Sequence, residues 1–197
     1  MFTKGTRVHT SEGLRPIEAL RVGDSVLTQP EDGLGEPVFR EIEAVMRAEG
    51  CVIRRISTFG PTAETQYFYG ASRDQRFRTP TKGWVPADKL RDGHRLIRAD
   101  GSRGQVSRQF PVYRTETPGV GWVQMLKRLE GSWGSLFDYE NYAAVPEDDK
   151  GDIYLSPEVA SSRDRFLQVT VYGLQVHEHN NFHVGSEGCW VHGESGS

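Results

Sequence analysis

The stretch Gly13-Leu14-Arg15-Pro16-Ile17-Glu18-Ala19-Leu20-Arg21-Val22-Gly23-Asp24-Ser25-Val26-Leu27 returns, without a gap, as Gly83-Trp84-Val85-Pro86-Ala87-Asp88-Lys89-Leu90-Arg91-Asp92-Gly93-His94-Arg95-Leu96-Ile97. Glycine, proline, leucine, arginine and glycine recur in register. Glu18 matches Asp88, and Val26-Leu27 matches Leu96-Ile97. Each copy has the same physical logic. A glycine opens a turn where positive φ carries no β-carbon penalty. A proline pre-sets φ for a short helical turn. A leucine, Leu20 or Leu90, anchors that turn in the core. A second glycine ends it, and an aliphatic strand follows, Ser25 to Thr28 or Leu96 to Arg98. An internal repeat of this kind points to a duplicated subdomain, with the copies related by a pseudo-two-fold axis around a shared cleft.

Outward from the repeat, the remaining patterns are those of strands. Thr6 to Thr10 alternates. Val38 to Met46 and Val52 to Phe59 read as two longer strands with Gly50 as the turn between them. Gln66 to Tyr69 is aromatic. Leu167 to Tyr172 and Leu174 to Val176 read as extended near the end. The 22 glycines and 10 prolines among 197 residues fit short strands joined by frequent turns. The segment from about 102 to 165 differs. Its apolar residues Trp122, Val123, Met125, Leu126, Leu129 and Trp133 fall at helical spacing, and the acidic run Pro146-Glu147-Asp148-Asp149-Lys150 follows. This reads as an insertion carrying a short helix against the β core, with an aromatic stripe that offers a surface for a protein partner.

The chain is long enough to bury a core without staples. Net charge is −3, which removes the basic signature expected of a nucleic-acid binder. Charge is basic between Arg73 and Arg108 and acidic between Asp138 and Glu158, the ordinary pattern of solvated faces. No apolar run has the length of a membrane span, and no apolar stretch follows Lys4 as in a signal peptide. Two cysteines, Cys51 and Cys189, make no disulfide framework, and their pairing is open. His177, His179, His183, Cys189 and His192 crowd the C-terminus, with His177 and His179 spaced for one strand face. Their spacing matches no structural zinc pattern, so neither metal nor cofactor is assigned.

The opening Phe2-Thr3-Lys4-Gly5-Thr6-Arg7-Val8-His9-Thr10, with Gly13, Pro16-Ile17-Glu18, Leu20 and Val22-Gly23-Asp24, resembles the start of Hint (hedgehog/intein) domains. Ser72-Arg73-Asp74-Gln75-Arg76-Phe77 with Gly83-Trp84-Val85 is similar to the family's second conserved block. Val171 to Val176, Phe182, Val184-Gly185 and Val191-His192-Gly193 resemble its closing blocks. The likeness is closest to bacterial intein-like domains and to the Hint modules that precede toxin domains. It implies an all-β, horseshoe-like fold with duplicated subdomains and adjacent termini. The core would be residues 1–101 and 166–197, with 102–165 as the insertion.

The resemblance also implies a self-cleaving chemistry. A first-position cysteine converts the preceding peptide bond to a thioester. A Thr-x-x-His element serves the scissile amide. A terminal His-Asn pair releases the other end as the asparagine cyclises. Carried over, the nucleophile position is Met1, whose thioether cannot acylate. Thr-x-x-His becomes Ser72 and Gln75, and an amide cannot transfer a proton near neutral pH. A closing-block aspartate becomes Gly173. A histidine becomes Asn180, and the cyclising asparagine becomes Gly193. His192 alone stands as the family has it. The expectation is a catalytically degenerate domain serving as a scaffold or interaction module in a larger, exported bacterial protein, with its flanking domains as partners. The alternative is an active autoprocessing domain in which Met1 stands in place of the nucleophile.

Overall fold

The computed structural model describes residues 1–60, 62, 65–128, 131–145 and 164–194. These are almost wholly β. A thirteen-stranded sheet carries the body of the chain, and a four-stranded antiparallel sheet is formed by Tyr113–Arg114, Val120–Arg128, Gly131–Asp138 and Ala143–Ala144. The expected all-β architecture is therefore present.

The duplication is visible bond by bond. Ile17–Ala19 and Ala87–Lys89 are both single 3-10 turns preceded by an extended proline. The Leu20 amide donates to Ile17 O and the Leu90 amide to Ala87 O, both at 3.3 Å. Gly23 N–H donates to Ile42 O at 3.0 Å, and Gly93 N–H to Val106 O at 2.9 Å. The Asp24 carboxylate accepts from Arg21 N at 2.9 Å, and His94 Nδ1 accepts from Arg91 N at 3.3 Å. His94 is thus a turn residue, as its alignment with Asp24 implies: either side chain satisfies the amide three residues back.

The repeat also reaches further than its gap-free stretch. Thr10 Oγ1 donates to Gly13 O at 2.7 Å and accepts from Glu12 N at 3.2 Å. Thr79 Oγ1 does the same with Gly83 O at 3.0 Å and Lys82 N at 3.1 Å. So Arg7–Thr10 is the counterpart of Arg76–Thr79. One additional turn residue in the second copy hides the match in the sequence.

Val38–Phe59 is one 22-residue strand, not two strands about a turn. Gly50 does hold a positive φ of 65°. That conformation serves a bulge: Val169 faces Cys51 and Val171 faces Ala48, so one strand carries an extra residue there. The strand runs on and links both halves, pairing with Ser25–Thr28 at one end and with Gln66–Ser72 and Arg103–Pro111 at the other. Likewise, the two extended segments near the end form one strand, Gln168–Val176.

The partly helical insertion is corrected. Trp122 and Val123 lie in the strand Val120–Arg128, which pairs with Gly131–Asp138 so that Trp122 faces Leu136 and Leu126 faces Trp133. A register shift between Gln124 and Leu126 breaks the strict alternation of the strand, and this is what imitates helical spacing. Trp122, Val123 and Leu136 are buried, so this part of the aromatic stripe is internal packing. Leu129 and the acidic run Pro146 to Lys150 lie outside the described residues.

The main core gathers Phe2, Val8, Ile17, Leu90, Leu96, Leu174 and Phe182 from both copies and from the closing strands. His183 is fully buried in it, its Nδ1–H donating to Gly188 O at 2.9 Å. Burial lowers its pKa from 6.5 to about 4, so this group costs stability as pH falls below 6.5, where the unfolded chain takes up a proton first. Glu187 works in the other direction. Burial raises its pKa from 4.5 to about 7. The folded chain therefore binds the proton first, and Glu187 costs stability as pH rises from 4.5 to 7. The two contributions oppose each other between pH 4.5 and 6.5. In urea titrations Glu187→Gln should lose about 3 kcal/mol relative to the parent as pH is lowered from 7 to 4.5. A pH-independent difference would contradict the burial of this carboxyl.

Candidate functional site

Phe2–Thr3 is wedged between two strands, pairing with Gln168–Val176 on one side and Gln66–Ser72 on the other. Phe2 is fully buried, its ring edge-on to Phe77 and Phe182 at 5.9 and 6.2 Å. This anchor fixes Met1 at the end of Gln66–Ser72, with Ser72 N–H donating to Met1 O at 2.9 Å. The turn after that strand brings Gln75 back under it, where Gln75 N–H donates to Ser72 O at 3.1 Å. From the other direction, Asn181–Val184 pairs with Cys189–His192 and delivers His192 and Gly193 beside Gln75.

The Met1 nitrogen donates to Ser72 Oγ at 3.1 Å, to Gln75 Oε1, and to the Glu194 carboxylate at 2.9 Å. Gln75 Nε2 donates to His192 O at 2.9 Å and to Arg76 O at 3.0 Å. Gln75 is thus held by both ends of its amide and is buried. His192 Nδ1–H donates to Gly193 O at 2.6 Å, and its ring stands edge-on to Trp84 at 5.1 Å. Gly193 N–H donates to Asn180 O at 2.7 Å. Of the seven positions carried over from the family, Met1, Ser72, Gln75, His192 and Gly193 meet at one place, with Gly173 beside Met1. Asn180 joins them through Gly193. A cavity of about 240 Å³ bounded by Asp74, Gln75, Arg76, His192, Gly193 and Glu194 opens beside them.

Two participants were not picked out in the sequence. Glu194 ion-pairs with the Met1 nitrogen and lies over Gly173, where a β-carbon would come within 2.6 Å of Glu194 Cγ and 3.0 Å of Met1 Cγ. Its signal was only its position after Val191-His192-Gly193. Asp74, inside the quoted Ser72–Gln75 element, is the second. Burial pushes its carboxyl up, but the Ser72 hydroxyl, its own amide, the Met1 nitrogen and Arg76 together hold it below the ordinary carboxylate range.

The slot at Gly193 is closed. A β-carbon there would fall on Asn180 Oδ1 and lie 2.8 Å from both Asn180 O and Leu174 O. Asn180 adopts a left-handed φ of 42°, tolerable for asparagine, which turns its side chain toward Gly193. The arrangement can hold an amide nitrogen and a carbonyl in fixed places. Among these side chains His192 carries the one imidazole, and its Nδ1–H is committed to Gly193 O.

The other histidines lie apart from it. His177 and His179 are in a turn rather than on a strand face, and His177 Nδ1 meets Glu43 at 2.7 Å. His9 Nε2 contacts Gly185 O. Among the described residues no three histidine, cysteine, aspartate or glutamate side chains are grouped to hold a metal ion. Cys51 and Cys189 are both free thiols, Cys189 buried with its pKa raised by that burial.

The wedged N-terminal strand and the duplicated turns belong to a fold that intein and intein-like domains share. Residues 1–51 match the Hint domain family. Among solved structures it is similar to the bacterial intein-like domain from Clostridium thermocellum, with TM-score 0.61 and 18% identity over 97% of this chain and 96% of that one. It is also similar to a DnaB intein from Synechocystis sp. PCC 6803, with TM-score 0.59 and 11% identity over 98% of each chain. At these identities the likeness is one of fold. None of the curated proteins matches the sequence.

Proposed function

We propose that this domain is a catalytically silent Hint module, kept as a scaffold or interaction module within a larger bacterial, toxin-like polypeptide. Its partners are then the domains that flank it and a protein received at the 102–165 insertion. The observation that carries this reading is the closed slot at Gly193. The position that needs a cyclising side chain holds none, and the oxygens of Asn180 and Leu174 occupy the space one would need. The N-terminal half agrees. Met1 offers no nucleophile, and Gln75 offers an amide, pinned at both ends, where a proton carrier is needed. Losing the nucleophile of a catalytic unit alone costs on the order of a million-fold in rate.

The test is a fusion with a stable reporter at each end, followed by intact mass over a day at acidic, neutral and alkaline pH. The expected result is a single uncut mass throughout. Cleavage before Met1 or after Gly193 overturns the reading.

A second reading has a specific observation in its favour. The Met1 nitrogen, Ser72, Gln75 and His192 are still assembled at hydrogen-bonding distance. On that reading the framework is an autoprocessing one, and Met1 is the block.

A further inference from the structure

A second cavity, of about 320 Å³, is lined in part by residues 66–70 of the strand Gln66–Ser72. Its lining is aromatic, with Tyr67, Phe68, Tyr69, Tyr139 and Tyr142, and it also includes Gly185 and Glu187. Four buried polar groups at this cavity have no hydrogen-bond partner among the described residues. They are the Tyr69, Thr3 and Tyr139 hydroxyls and the Glu187 carboxylate, the last with both oxygens out of solvent contact. Tyr69 is 3% exposed and Thr3 0%. Uncompensated burial of such groups destabilises the fold, and more so for a charge, so their convergence on one cavity calls for a common partner.

Two of them converge on one point. A β-carbon built on Gly185 would lie 2.7 Å from Glu187 Oε2 and 2.9 Å from Tyr69 Oη. Gly185 keeps that point open, and its φ of 76° disfavours any side chain there. Two cations, Arg7 and Arg55, also line the cavity, and neither serves Glu187. Arg55 donates to Ser135 Oγ at 3.0 Å and stacks over Phe68 at 4.1 Å. No cation contributes to the titration of Glu187, which burial dominates.

We propose that this cavity is a binding pocket for a small organic amine, its ammonium held by Glu187 and the Tyr69 hydroxyl and its apolar body against the aromatic walls. A lone carboxylate with a hydroxyl acceptor supplies charge and N–H acceptors. Aromatic faces attract a desolvated cation and exclude water around it. The volume suits a ligand of about ten heavy atoms, small for a drug-sized site. This pocket is separate from the Met1 cluster, and the proposal does not depend on the silence of that cluster.

The probe is 2-phenylethylamine, with phenylacetate as its anionic counterpart, measured by calorimetric titration of the full chain at neutral pH. The amine is expected to bind and the carboxylate not. Glu187→Gln, which keeps the side chain's shape, should weaken the amine at least about tenfold, and Tyr69→Phe by a smaller factor. The Tyr69 variant retains the ring in the core and serves as the check should the first variant fold poorly. Phenylacetate binding in place of the amine overturns the proposal. So does amine affinity indifferent to both variants, or no binding of the amine at all.

Discussion

Gly193→Asn, which restores the residue a cyclising end requires, is expected to leave the C-terminal side uncut and to destabilise the fold by about 3 kcal/mol. The added β-carbon meets Asn180 Oδ1 and two carbonyl oxygens at 2.8 Å. Both carbonyls are committed, Asn180 O to Gly193 N and Leu174 O to Glu194 N. The backbone cannot step aside without giving up those bonds. Removing the Asn180 side chain as well relieves only one of the three contacts, so Asn180→Ala with Gly193→Asn should recover part of the stability and none of the chemistry. Urea midpoints and intact mass of a C-terminal fusion measure both. An undisturbed midpoint in the single variant would show that the slot is open.

Asn181→Leu is expected to cost about 4 kcal/mol, the larger effect of the two. Asn181 is fully buried. Its Oδ1 accepts from Thr28 Oγ1 at 2.9 Å, Gln29 N at 3.1 Å and Trp190 Nε1 at 2.7 Å. Its Nδ2 donates to Gln29 O at 2.8 Å and His179 O at 2.9 Å. One amide thus ties the end of the strand Ser25–Thr28 to the closing strands that deliver His192. Leucine leaves the Thr28, Gln29 and Trp190 donors buried without an acceptor. Thermal and urea unfolding of the variant read the loss. A change below about 1 kcal/mol would mean that water takes over the network.

The repeat was legible because its turns depend on residue types few others can replace, Gly13 and Gly83, Pro16 and Pro86, Gly23 and Gly93. The closing cluster was legible through its likeness to a known pattern. The hairpin Val120–Asp138 was not, because its bulge shifts apolar residues onto helical spacing. The single strand Val38–Phe59 was not, because a glycine at positive φ reads as a turn whether the chain reverses or only bulges there. Asn181 carried no local signal, and Glu194 only its place after Val191-His192-Gly193. Their roles exist only where distant strands meet, Glu194 at Met1 and Asn181 at Thr28. The aromatic pocket was invisible for the same reason, since Thr3, Tyr69 and Glu187 share no sequence neighbourhood.

The most direct test of a silent domain is the Met1→Cys variant with a stable reporter fused before residue 1, treated with thiol at neutral pH and followed by intact mass over a day. The new thiol occupies the first-position site, but Gln75 still holds the adjoining nitrogen through an amide that cannot deliver a proton. The account predicts one uncut mass. Thiol-dependent release of the reporter by this single change would contradict it, and would make Met1 the only barrier between this fold and its chemistry.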